Sequence, residues 1–175
     1  MRLRTLLAVG ALALSFGLSG ATAGERPPVC TIEGTSGNDT LNGTGDDDVI
    51  CGKAGNDVIR GKGGADIVSG GGGSDTLEGG GGNDGVIGEA GDDKIFGDAG
   101  NDYLDGGPGR DSIVDKDGKD KVLGGDDNDP CLITKDGAAG DTINGGPGTD
   151  TYSKDAGDTL RSGEHAANCV PPPEL

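Results

Sequence analysis

Ten aspartates stand nine residues apart, at Asp39, Asp48, Asp57, Asp66, Asp75, Asp84, Asp93, Asp102, Asp111 and Asp120. Two residues after each comes an aliphatic side chain: Leu41, Ile50, Ile59, Val68, Leu77, Val86, Ile95, Leu104, Ile113 and Val122. Glycine stands five and two residues before nearly every aspartate. Asp115 replaces the first glycine in the last copy, and Asp46 the second in the second copy. At neutral pH an aspartate offers hard oxygen donors, and glycine-rich turns can present main-chain carbonyls beside them. Together these form a donor set for a hard divalent cation. Without a cation, the same residues would stack into rows of like charge.

The elements that must carry these oxygens follow from the period. From Gly34 to Leu123 the chain is ten nine-residue units without insertion or deletion. Numbered 1 to 9, each unit has room for a short strand at positions 7 to 9, with position 8 inward and its neighbours outward. The other six residues must turn, and glycine at positions 1 and 4 allows positive φ and close approach of backbones. Turn plus strand, repeated, stacks into an all-β parallel solenoid around one thin aliphatic column. One aliphatic side chain per nine residues is little to set against the entropy of ordering the other eight. A cation between the turns, calcium by its preference for oxygen, therefore belongs to the folded state and is no accessory.

The unit Gly-Gly-x-Gly-x-Asp-x-aliphatic-x resembles the RTX, or haemolysin-type, calcium-binding nonapeptide. Copies such as GKAGNDVIR (Gly52 to Arg60), GGGGSDTLE (Gly70 to Glu78) and GDAGNDYLD (Gly97 to Asp105) carry the resemblance. It implies a right-handed parallel β-roll with several calcium ions between successive turns. It assigns carboxylate ligands to the ten aspartates above and extends the role to Asp129, Asp141 and Asp150 in looser copies downstream. Many relatives carry a large effector domain ahead of the repeats; none is expected here, because a leader pattern stands about ten residues before the first repeat. The chain is more similar to small, disulfide-capped secreted calcium-binding proteins of actinobacteria, so toxin or protease activity is not carried over.

The flanks fit export. Arg2 and Arg4, an apolar run from Leu6 to Phe16 and Ala21-Thr22-Ala23 read as a signal peptide over 1–23, cleaved after Ala23. Its loss takes the net charge from −17 to −19. Such acidity opposes nucleic acid and anionic lipid as partners, and no membrane insertion is expected. Residues 24–33 would be an N-terminal cap, 34–132 the regular roll, 133–170 degenerate repeats with a C-terminal cap, and 171–175 a flexible tail. In the degenerate part, Pro130 and Cys131 would fill the strand slots of Gly124 to Leu132, and a three-residue slip would lie at Ile133 to Lys135. Four cysteines allow three pairings. Cys30–Cys51 and Cys131–Cys169 are favoured, because each clips an open end of the array.

Other functions fit less well. Asp115 to Asp120 resembles the opening of an EF-hand loop, but its glycine falls at the fourth position where that loop needs it at the sixth. Acid pairs such as Asp92–Asp93 or Asp126–Asp127 could be a general acid and base, yet His165 is the sole histidine and the cysteines are expected to be paired. A core this thin encloses no apolar pocket, and no enzyme is expected. No column repeats a residue suited to binding ice. The expectation is a secreted, monomeric calcium-binding protein without a known protein partner. The alternative is a cell-surface or matrix protein using the same roll as a spacer or adhesive. Arg110, Lys116, Lys119 and Lys121 add positive charge near Asp111 and Asp120, which predicts weaker calcium binding there than around Asp57 to Asp102.

Overall fold

A computed structural model describes residues 29–134, 137, 139–162, 165–166, 171 and 173. The leader expected over 1–23 and Cys169 lie outside these residues, as does most of the expected tail. The described strands are β1 (Ile32–Glu33), β2 (Thr40–Asn42), β3 (Val49–Ala54), β4 (Val58–Gly63), β5 (Ile67–Gly72), β6 (Thr76–Gly81), β7 (Gly85–Ala90) and β8 (Lys94–Ala99). They continue as β9 (Tyr103–Pro108), β10 (Ser112–Val114), β11 (Lys121–Asp126), β12 (Cys131–Thr134), β13 (Thr142–Asn144), β14 (Thr151–Lys154), β15 (Thr159–Ser162) and β16 (His165–Ala166). Among the described residues there is no helix.

Every strand pairs in parallel with the strand two places later in the chain. Odd-numbered strands make one eight-stranded sheet and even-numbered strands the other. Ile50 lies beside Val68 in the first sheet, and Ile59 beside Leu77 in the second. One coil of this β-solenoid is therefore two nonapeptides. Between the sheets run the position 8 side chains: Ile50, Ile59, Val68, Leu77, Val86, Ile95, Leu104, Ile113, Val122, Leu132 and Ile143 are wholly buried. Ile32 and Leu41 close this column at one end, Tyr152 and Leu160 at the other, each partly buried.

Strands β3 to β9 and β11 run to six residues, twice the expected length. Val58–Gly63 and its neighbours continue through positions 1 to 3 of the next unit, where Lys62 pairs with Gly80 and Gly63 with Gly81. Only positions 4 to 6 turn. Positive φ accordingly falls at positions 2 and 4, as at Gly71 (φ 109°) and Gly73 (φ 130°). Position 1 glycines do not have it. Lys53, Lys62, Glu89 and Asp98 occupy the left-handed region at position 2, each paired with a glycine of a neighbouring strand, so the ladder holds four side chains in a conformation that favours glycine.

Two expectations about the degenerate segment are corrected. Cys131, not Pro130, pairs with Ser112, and Leu132 takes the core place beside Ile113. Proline lacks the N–H that a parallel ladder requires, so it is passed over as an added residue. Nor is the slip at Ile133 to Lys135, since Ile133 and Thr134 belong to β12. One residue is absorbed at Pro130 and two after Thr134. The spacing of linked aspartates thus grows from 18 between Asp111 and Asp129 to 21 between Asp120 and Asp141. The disulfide Cys30–Cys51 is present and ties the segment before β1 to β3. Cys131 is buried; its expected partner, Cys169, is outside the described residues.

Candidate metal centre

Position 6 ends each turn, and there the aspartate side chain folds in over the turn. One carboxylate oxygen, Oδ1, accepts the main-chain N–H of the aspartate one coil earlier. Asp57 accepts from Asp39, Asp75 from Asp57, Asp93 from Asp75 and Asp111 from Asp93, at 2.7–2.8 Å. On the other edge Asp66, Asp84, Asp102 and Asp120 accept in the same way from Asp48, Asp66, Asp84 and Asp102. Both ladders cross the irregular segment, through Asp129 and Asp150 on one edge and Asp141 on the other. Asp158, which the nine-residue count missed, extends the second: its Oδ1 accepts from Gly140 and Asp141. The triplet Asp158-Thr159-Leu160 carried the signal, hidden by a unit one residue short.

The second oxygen is the chemically open one. Oδ2 of Asp57, Asp66, Asp75, Asp84, Asp93, Asp102, Asp111, Asp129 and Asp150 is buried and has no hydrogen-bond partner. A buried carboxylate left so is costly unless a cation meets it. Each of these oxygens turns toward the bare face of a position 1 glycine, and over most of them a main-chain carbonyl from the next coil arrives at the same place. A Cβ added to Gly70 would stand 2.5 Å from Asp75 Oδ2 and 2.9 Å from the Gly88 carbonyl; at Gly79 the neighbours are Asp84 Oδ2 at 2.7 Å and the Gly97 carbonyl at 3.0 Å. Glycine is needed at position 1 to leave room for two convergent oxygens, and its conformational freedom is secondary there. Carboxylate plus carbonyl, recurring coil after coil, is a donor set that fits calcium.

Burial raises the carboxyl pKa along the middle of both ladders. Asp84 is pushed up to about 6, Asp93, Asp102 and Asp129 to about 7, and Asp111 to about 8. Desolvation is the largest cause in each, opposed by the N–H donated to Oδ1 and reinforced by neighbouring aspartates. Asp66 and Asp75 are raised for the same reason.

The first coil is built differently. Asp39 Oδ2 accepts from the Thr35 N–H and hydroxyl at 2.6 and 2.8 Å, and Asp48 Oδ2 from those of Thr44 at 2.7 and 2.8 Å. These bonds hold both carboxyls below the usual carboxylate range, chiefly the Thr35 N–H for Asp39 and the Thr44 hydroxyl for Asp48. The Lys62 ammonium reaches the carbonyl of Gly43 at 2.6 Å. A position 1 carbonyl at this end thus already meets a positive charge from the chain itself. Of the thirteen aspartates singled out in the sequence, eleven are buried along the inner ladders and nine of these have the Oδ2 arrangement just described, while Asp39 and Asp48 have threonine donors in its place.

The basic residues near Asp111 and Asp120 are partly committed elsewhere. Lys116 pairs with Asp98 at 3.0 Å, and Lys121 sits 4.7 Å above the Tyr103 ring. Asp115, the residue at position 1 where glycine is the rule, is 1% exposed and is pushed up to about 9, first by desolvation and then by Asp120 and Asp102.

Comparison with curated proteins returns no match. The model of the RTX calcium-binding nonapeptide repeat, a four-copy unit, matches residues 31–59, 52–86, 86–113, 105–129 and 135–161. Those segments cover most of the chain, including both aspartate ladders, and leave out 130–134, where the coil is irregular. With nine-residue spacing, parallel coils and enclosed Asp oxygens all in agreement, the chain belongs to the RTX calcium-binding nonapeptide repeat family.

Proposed function

We propose that the protein is a secreted, monomeric calcium-binding β-roll whose folding is coupled to the binding of several calcium ions. The observation that carries this reading is the row of buried Oδ2 atoms without hydrogen-bond partners, set against main-chain carbonyls of the next coil. Asp57, Asp66, Asp75, Asp84, Asp93, Asp102, Asp111, Asp120, Asp129, Asp141 and Asp150 would supply carboxylate oxygens, and position 1 residues the carbonyls. Asp39 and Asp48 would contribute less, because threonine donors already occupy an oxygen of each. Calcium supplies the positive charge that lets ionised carboxylates stay buried. Where calcium is scarce, the chain, at −17 including its leader, repels itself and loses the roll; where calcium is millimolar, the roll is rigid. Export is supported by the leader pattern and by a disulfide, which persists in oxidising compartments. No catalytic role is assigned to any residue.

Far-UV circular dichroism of the oxidised chain, stripped with chelator and then titrated with calcium, tests the reading. The expected result is a coil spectrum that becomes β at sub-millimolar to millimolar calcium and stays coil in equal magnesium. A β spectrum unaffected by chelator would sink it.

A further inference from the structure

Asp115 breaks the repeat at its most restrictive place. Position 1 is glycine in the other nine regular copies because two oxygens converge there, yet here a carboxylate side chain is added. The structure accommodates it by exchange. Over Gly97 the oxygens that converge are Asp102 Oδ2, 2.7 Å from the place of an added Cβ, and Asp115 Oδ2, 2.6 Å from it. Other inner turns show a carboxylate and a carbonyl at this point; this turn shows two carboxylates. A third is close by, since Asp102, Asp115 and Asp120 each offer an oxygen within 4.8 Å of the others.

All three side chains are shut away from solvent, at 3%, 1% and 4% exposure. Asp115 Oδ1 is occupied by the Lys116 N–H at 2.7 Å, while its Oδ2 is buried with no partner and turned into the cluster. Asp102 Oδ2 is likewise without a partner. The adjacent Lys116 ammonium is directed to Asp98 instead.

We infer that Asp102, Asp115 and Asp120 form a distinct three-carboxylate cation site within the roll, more anionic than its neighbours. Resting on the proposed calcium function, this assigns one turn a ligand from outside the position 6 ladders. Ligand charge count tunes the affinity of oxygen sites for hard cations. The site therefore takes a divalent cation before the other turns do, and it gains still more from a trivalent one. It reverses, for this turn, the weaker binding that the nearby lysines alone predict.

The test uses terbium, a trivalent oxygen-seeking ion located by its anomalous scattering. Crystals of the whole chain without its leader are grown in calcium and exchanged with terbium below one equivalent. In parallel, terbium is titrated into the wild type, Asp115→Gly and Asp115→Asn. Glycine restores the residue that the repeat uses elsewhere, so this variant keeps its fold. The expected map places the first terbium against Asp115 Oδ2, and both variants lose about tenfold or more in affinity for the first equivalent. Terbium at other turns with none at Asp115, or unchanged first-equivalent affinity in Asp115→Gly, overturns the site and leaves the calcium function standing. Asp115 would then be a protonated carboxyl sharing its hydrogen with Asp102 or Asp120. Terbium and calcium at no turn at all would overturn the calcium function and this site with it.

Discussion

Acid should do part of what calcium does. The metal-free roll encloses Asp84, Asp93, Asp102, Asp111 and Asp129 with pKa values raised to about 6, 7, 7, 8 and 7. A carboxyl moved from 3.8 to about 7 costs the folded state roughly 4 kcal/mol when ionised, at about 1.4 kcal/mol per pH unit. Five such groups together reach the order of 10 kcal/mol or more, which is comparable with the whole stability of a domain, about 5–15 kcal/mol. Between pH 4 and 7 the folded chain holds protons that the unfolded chain has released. Stability is therefore fully present below the ordinary aspartate pKa and is lost as pH rises through the raised values. Asp39 and Asp48 act oppositely, but their lowered values place that effect below the window. In chelator-washed, metal-free buffer the chain should be markedly more β-structured, and more resistant to urea, at pH 5 than at pH 8. In calcium the protons compete with the metal, and the calcium midpoint should rise as pH falls from 8 to 6. A metal-free chain no more stable at pH 5 than at pH 8 would refute the reasoning, because the aspartates would then not be enclosed as described.

Gly88→Ala would put a Cβ 2.6 Å from the Gly106 carbonyl and closer still to Asp93 Oδ2, whereas at Gly45 nothing lies within 4 Å. The first should cost about 1–3 kcal/mol or more and raise the calcium midpoint in a dichroism titration, while Gly45→Ala leaves it in place; equal effects would contradict the cradle. Replacing Thr35 and Thr44 together by Val should lower the urea midpoint of the calcium-loaded roll, and by less than Gly88→Ala does, because hydroxyl bonds to exposed carboxylates are modest; an unchanged midpoint would mean these bonds hold nothing. Opening Cys30–Cys51, which closes a loop of sequence separation 21, should lower urea stability by roughly 3 kcal/mol, and a loss under about 1 kcal/mol would show that the first coil is already constrained without it. Leu132→Ala should cost about 2–5 kcal/mol as a wholly buried core residue; a surface-like loss would restore Cys131 to the core slot.

Periodicity carried most of the fold into view, since an aliphatic residue at position 8 faces the core column in every regular copy and Asp at position 6 accepts a ladder bond in every copy after the first two. Position 2 was not legible. Lysine, glutamate and aspartate at 53, 62, 89 and 98 gave no sign of a left-handed backbone, because the strand ladder around them enforces it against their own preference. Position 1 was legible as glycine, and of the two reasons for it the close approach holds and the positive φ does not. The irregular coil was misread because counting by nines ignores hydrogen bonding. Pro130 cannot join a ladder, and once it is set aside Cys131 and Leu132 fall into register. Asp115 looked like a lapse in the pattern, since only in three dimensions does its carboxylate reach Asp102 and Asp120.

The alternation of strands between two sheets sets how such a chain can change length over generations. Removing any 18 residues of the regular stretch takes out one full coil and returns every later strand to the sheet it left. Removing nine moves each later strand to the opposite sheet, and carries the downstream end of the roll to the other side relative to the clipped first coil. Duplication and loss are thus neutral to architecture only in pairs of repeats. The nonapeptide is the unit that is spelled; the pair is the unit that can be inherited.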